Sequence, residues 1–179
     1  TITARHQSQI IRVQTQNIYG NPTAVTLSTP VYLRSTSDRS EFAAVAYPGQ
    51  WGISYINIPA GSNTIEIYYH DISTGSPTIT IADNLPLLPD NGWTNASQQQ
   101  NIIRQVVDHI LVTNISDPQV QGSPSSLVIQ AQDIENYVVD WYDGTVHFSS
   151  SDADAVLPED YTFHPAVDIG MHTFGNAVA

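Results

Sequence analysis

Ile56-Asn57-Ile58-Pro59-Ala60-Gly61-Ser62-Asn63-Thr64-Ile65-Glu66-Ile67-Tyr68-Tyr69-His70-Asp71 alternates apolar and polar side chains on both sides of Pro59-Ala60-Gly61-Ser62. In that tetrapeptide Pro presets φ and Gly accepts a positive φ, so the chain reverses there. A period of two on either side of a turn is a strand, a turn and a strand, with one face of each strand set aside for a core.

Similar runs lie at 10–15, 31–35, 53–58, 77–81, 109–113, 127–132 and 145–149, each short, rich in β-branched and aromatic residues, and bounded by turn residues. Tyr19-Gly20-Asn21-Pro22, Thr74-Gly75-Ser76-Pro77 and Asp143-Gly144 supply the punctuation. Short strands at this spacing, with no long helical period, predict an all-β sandwich. Between 96 and 110 neither period is clean, and the reading there is a strand, a junction near Arg104 and a new strand.

Composition agrees with sheet. Val, Ile and Thr supply 50 of 179 residues and Leu only 8. Lys is absent and five Arg face 17 acids, so there is no electrostatic source for gripping a phosphate backbone, and nucleic acid is excluded as a partner. Charge is uneven: residues 1–104 hold six acids and five Arg, whereas residues 105–179 hold eleven acids and no Lys or Arg. Solvation, salt or bound cations must cover that second half. With no Cys there is no disulfide and no thiolate chemistry. No apolar run approaches the roughly 18 to 20 residues that span a bilayer, so membrane insertion is not expected.

The chain also repeats itself. Val13-Gln14-Thr15-Gln16-Asn17-Ile18 lines up with Ile129-Gln130-Ala131-Gln132-Asp133-Ile134 at an offset of 116, and Val31-Tyr32-Leu33 with Val146-His147-Phe148 at 115. A Ser-rich loop with one Asp follows each, Ser35-Thr36-Ser37-Asp38 and Ser149-Ser150-Ser151-Asp152. Two diverged copies of one sandwich account for this.

The phrase 56–71 with Gly75-Ser76-Pro77-Thr78-Ile79-Thr80-Ile81-Ala82, the turn 16–22, and in the second half 142–152, 157–163 and 172–174, resemble bacterial immunoglobulin-like repeats of the invasin and adhesin type. The resemblance implies two tandem immunoglobulin-like β-sandwich domains, at 1–103 and 104–179, and a scaffold rather than a reaction. Asp133-Ile134-Glu135-Asn136-Tyr137 stands where the first copy has Asn17-Ile18-Tyr19-Gly20-Asn21, so the second turn has lost its Gly. After its Ser-rich loop the first copy has several further strand-like runs; the second has only 161–163 and 171–174, so the second domain is expected to lack its last strands. Thr1-Ile2-Thr3-Ala4 is a strand-like arm that is expected to be free to reach a neighbour.

Few residues point to chemistry. The six His form no pair at metal-binding spacing and read as strand histidines; no Gly-x-Ser-x-Gly elbow exists, and no enzymatic activity is expected. Asp152, Asp154, Glu159 and Asp160 are the candidate Ca²⁺ ligands, hard oxygen donors in a Ser/Asp loop, although an acidic loop that is simply solvated reads the same way. Asn95-Ala96-Ser97 and Asn114-Ile115-Ser116 match the N-glycosylation pattern. Trp51 and Tyr55, with Tyr47, Tyr68 and Tyr69 nearby, are candidates for a glycan platform, or else sheet core.

The sequence is therefore read as a structural or adhesive repeat segment of a prokaryotic cell-surface or extracellular protein. The class is that of a surface layer, adhesin stalk or filament subunit that associates with neighbouring copies, assembly by β-strand addition included. The rival reading is a carbohydrate-binding or accessory module of a secreted glycoside hydrolase, with surface glycans as partners.

Overall fold

Residues 64–71 take their alternation literally: Ile65, Ile67, Tyr69 and Asp71 are buried, while Glu66 is exposed and Thr64, Tyr68 and His70 are half-buried. The structure, a computed structural model, describes residues 1–85, 92–115, 118, 120 and 122–178. Its contacts divide the chain into two units, Thr1–Arg104 and Gln105–Ala179. Apart from one short parallel pair in the first unit, both are built from antiparallel strands, and the protein is all-β.

In the first unit the strands are β1 (Ile2–Thr3), β2 (Ile11–Gln14), β3 (Thr29–Ser35), β4 (Ser40–Ala43), β5 (Tyr55–Ile58), β6 (Thr64–Asp71), β7 (Thr78–Ala82), β8 (Ala96–Gln99) and β9 (Ile102–Ile103). One sheet runs β2-β6-β4 and the other β5-β3-β7-β8. Their inner faces meet in a core of Phe42, Ile67 and Tyr69 from the first sheet and Leu33 and Ile79 from the second. Burying each such side chain contributes about 1.5 to 3 kcal/mol, so these alternate positions hold the sandwich together. Val25, Val31, Ile58 and Ile65 form a second cluster.

The amino-terminal arm differs from expectation. β1 pairs in parallel with β9, Ile2 opposite Ile102, and both Ile2 and Ala4 are buried against the core. Two apolar side chains at alternate positions anchor the arm to its own unit, so it is not free. The strand expected up to residue 103 is two strands: Gln100 turns inward, its N–H donating to the Pro77 carbonyl, and Ile102 then enters the core.

In the second unit follow β10 (His109–Thr113), β11 (Ser125–Gln132), β12 (Thr145–Val146), β13 (Tyr161–Thr162), α1 (Pro165–Asp168) and β14 (Met171–Val178). β10-β11-β14 make one sheet and β12-β13 a two-stranded partner. Leu127, Ile129 and Phe163 are the buried centre, ringed by Tyr142, Val146, Phe148, Tyr161 and Phe174. Edge-to-face contacts tie the ring together, Tyr142 to Phe163 at 5.0 Å and Tyr161 to Phe174 at 5.3 Å.

Two strand pairs of the first unit find counterparts in the second, in the register that the aligned sequences give. β2 pairs with β6 as Ile11 to Ile67 through Gln14 to Thr64, and β11 pairs with β14 as Leu127 to Phe174 through Gln130 to Met171. β3 pairs with β5 through Val31 and Ile56, and β12 with β13 through Val146 and Tyr161. In sequence terms β11, β12, β13 and β14 stand for β2, β3, β5 and β6. The flanks differ: β4 lies beside β6 in the first unit, β10 beside β11 in the second, and β3 runs to Ser35 because β7 lies along residues 32–35. Among the described residues the second unit has no strand in that place, and β12 ends at Val146 rather than at 149 as its sequence pattern predicts.

Candidate functional site

Along residues 147–149, the sequence counterparts of the β3 stretch that β7 covers, the second unit has an open cleft of about 270 Å³. Val112 of β10 and Leu127 of β11 line it, with Ile115, Phe148, Leu157 and Pro158, and His147 and Ser149 at its rim. Phe148 is half-buried and His147, Ser149 and Ser150 are exposed, whereas their counterpart Leu33 is buried and Tyr32, Arg34 and Ser35 are half-buried. The backbone N–H groups of His147 and Ser149 have no hydrogen-bond partner among the described residues. By the period of two, alternate N–H groups of a strand face opposite edges. Leu33 N–H donates to Ser54 on the β5 side, so the N–H groups of residues 32 and 34, and of their counterparts His147 and Ser149, face the β7 side.

The small sheet is held by Asp168 through Tyr161 of β13. Pro165 opens the single turn of α1, and Ile169 (φ 50°) and Gly170 (φ 76°) close it in the left-handed region. That turn carries the Asp168 carboxylate inward, where Tyr161 Oη donates to Oδ1 at 2.9 Å, His172 Nδ1 lies 2.8 Å from Oδ1, and the His164 N–H donates to Oδ2 at 2.6 Å. The Tyr161 and His172 rings stack at 3.9 Å. Burial alone would raise the carboxyl's pKa, but the hydrogen bonds from His164, His172 and Tyr161 outweigh it and hold Asp168 below the usual carboxylate range. Desolvation first, and the adjacent carboxylate second, push the Tyr161 phenol up. The first unit has a related pair: Tyr69 Oη donates to buried Asp71 Oδ2 at 2.9 Å, and desolvation above all raises the Tyr69 phenol.

Asp152, Asp154, Glu159 and Asp160 are exposed. Asp152 Oδ1 accepts the Asp154 N–H in a local turn, and Asp160 Oδ1 lies 2.6 Å from His147 Nδ1. Among the described residues no three of the four bring carboxylate oxygens within 4.8 Å of one another. Trp51 and Tyr55 are on different sheets: Trp51 bridges to Ala43 of β4 and lies on the His70 ring at 4.6 Å, whereas Tyr55 of β5 leans on Tyr32 at 6.2 Å. Tyr47 is exposed, Tyr68 half-buried and Tyr69 in the core. Asn95 and Asn114 are exposed; Ser116, which completes the second acceptor triplet, lies outside the described residues. Two features escaped sequence reading, the Asp168 cradle and the cleft beside His147. The first had no signal beyond one more acid. The second was signalled by the match of 146–148 to 31–33, with no strand matching β7 among the described residues of the second unit.

No helix among the described residues is long and apolar enough to cross a membrane. No protein-family model and no curated protein matches the chain. Among solved structures it is similar to one described as "Structure of the S-layer protein SbsC, domains 5-6", with 13% identity and a TM-score of 0.38, over 87% of this chain and 69% of that one.

Proposed function

We propose that residues 1–179 are a structural repeat segment of a prokaryotic cell-surface or extracellular protein, without catalysis of its own. Such a segment spaces and stiffens a longer assembly and associates with its neighbours through sheet edges. The observation that supports this reading is that two strand pairs of the first unit, β2 with β6 and β3 with β5, have counterparts in β11 with β14 and β12 with β13, as expected where one unit is reused for length. An acidic, lysine-free exterior suits a solvated outer surface.

Antibodies raised against residues 1–179 should label intact, unpermeabilised cells of the source organism, and the isolated segment should bind no immobilised glycan. Label confined to the interior would overturn the reading. So would glycan binding that survives 0.5 M salt and is lost in Trp51→Ala, which would favour the carbohydrate-binding module.

A further inference from the structure

We propose that the second unit's cleft is a strand-acceptor site, filled by an extended segment of β7 chemistry that pairs antiparallel with residues 147–150. This deepens the structural reading and rests on it. Three independent features of the cleft coincide. Its rim is the counterpart of the β3 edge that β7 covers, its open N–H groups are those of His147 and Ser149, and its floor is apolar through Leu127, Phe148 and Val112.

Register fixes the occupant. In the first unit Tyr32 faces Ala82, Leu33 faces Ile81, Arg34 faces Thr80 and Ser35 faces Ile79. Carried over, Phe148 faces an apolar β-branched residue, Ser149 a Thr, and Ser150 a second apolar residue. The segment that fits is thus four or five residues long with β-branched apolar side chains at alternate positions. Main-chain bonds to His147 and Ser149 supply affinity, and the two inward side chains supply specificity. The occupant is a strand of that pattern donated by a separate partner polypeptide of the assembly. It is not the chain's own β7, whose Ile79 is buried in the first unit's core.

The test uses the full 179-residue chain and a synthetic peptide of residues 76–84, the sequence of β7 and its flanks. Saturable perturbation of the His147, Phe148, Ser149 and Ser150 amide resonances is expected on titration. A peptide carrying Ile79→Asn and Ile81→Asn should bind at least about ten-fold more weakly, because it loses both inward side chains. Ser149→Pro, which removes a donor on the open edge, should weaken binding to a similar degree. The peptide substitutions leave the protein untouched, so the result stands even where Ser149→Pro fails to fold. No perturbation at millimolar peptide, or equal binding of the Asn peptide, would overturn the proposal. So would a chain that dimerises by exchanging its own β7. Each of those outcomes leaves the structural reading standing, because that falls only on cell labelling and glycan binding.

Discussion

The Tyr161 hydroxyl donates to Asp168 Oδ1 at 2.9 Å, and that bond joins the small β12-β13 sheet to the turn that launches β14. Because the cradle stabilises the charged carboxylate, the Asp168 pKa is lower in the folded chain than in the unfolded one. Its contribution is fully present above the unfolded value of about 3.9 and is lost as pH falls through the folded value. The second unit should therefore melt at progressively lower temperature in acid, and Asp168→Asn should flatten that limb while lowering the melting temperature at pH 7. Calorimetry from pH 2 to pH 7 checks this; an unchanged acid limb in Asp168→Asn would count against the cradle.

The same pair makes an opposite statement in base. Tyr161 has a raised pKa, so its contribution is present below the unfolded value of about 10 and lost as pH rises through the folded one. Tyr161→Phe should weaken the unit at pH 7, where the hydroxyl bond is lost, yet make its stability less sensitive to pH above 10. Parallel denaturant titrations at pH 7 and pH 11 distinguish the two effects.

Asn17 and Asp133, aligned at the sequence offset of 116, close their turns with the same hydrogen-bond pattern. Asn17 Oδ1 accepts the N–H groups of Tyr19 and Asn21, and Asp133 Oδ1 accepts those of Glu135 and Tyr137. Gly20 at φ 80° is matched by Asn136 at φ 67°, Asn being a residue whose side chain tolerates the left-handed region. Gly20→Asn should consequently be near neutral, whereas Gly20→Val should cost about 1 to 2 kcal/mol. Asp133→Ala removes three hydrogen bonds at once, including that from Gln105 Nε2, and should destabilise the second unit more than Asn17→Ala does the first. Chemical denaturation of the four variants reads the order.

Much of this was legible in the residues, and the exceptions have physical causes. Residues 64–71 announce their inner face because one side chain in two is buried, a pattern local sequence records directly. The lost Gly of the second turn left its geometry open, since one Asn in a polar chain does not declare a positive φ. The run 145–149 carries strand residues but lacks the neighbour that makes β3 seven residues long, and pairing is a property of two segments. Asp168 looked like one acid among eleven; its burial depends on a four-residue helix that no periodicity can reveal.

Net charge gives a solution test of the acidic half. Residues 105–179 carry eleven acids and no Lys or Arg, so screening should stabilise the second unit more than the first. Where Asp152, Asp154, Glu159 and Asp160 bind Ca²⁺, 2 mM CaCl₂ should raise its melting temperature more than NaCl of equal ionic strength does, and the excess should disappear in Asp152→Asn/Asp154→Asn; equal shifts with the two salts reduce the effect to screening.

Among the described glycines at positive φ, Gly170 is the one whose missing Cβ would meet neighbouring atoms. It sits at φ 76°, and a Cβ there would collide with the Val139 carbonyl oxygen and crowd a Val138 methyl at 2.8 Å. Its own carbonyl accepts the Ala131 N–H at 2.9 Å, so the glycine cannot move without loosening β11. Gly61, at φ 80°, has open space around its missing Cβ, so Gly61→Ala carries only the backbone cost, about 1 kcal/mol. Gly170→Ala adds the overpacking of a site walled by backbone, about 1 to 3 kcal/mol more. Urea unfolding followed separately for the two units should show Gly170→Ala shifting only the second transition, and by at least twice the shift that Gly61→Ala produces in the first. Equal shifts would mean that the contact between residue 170 and β11 gives way at little cost.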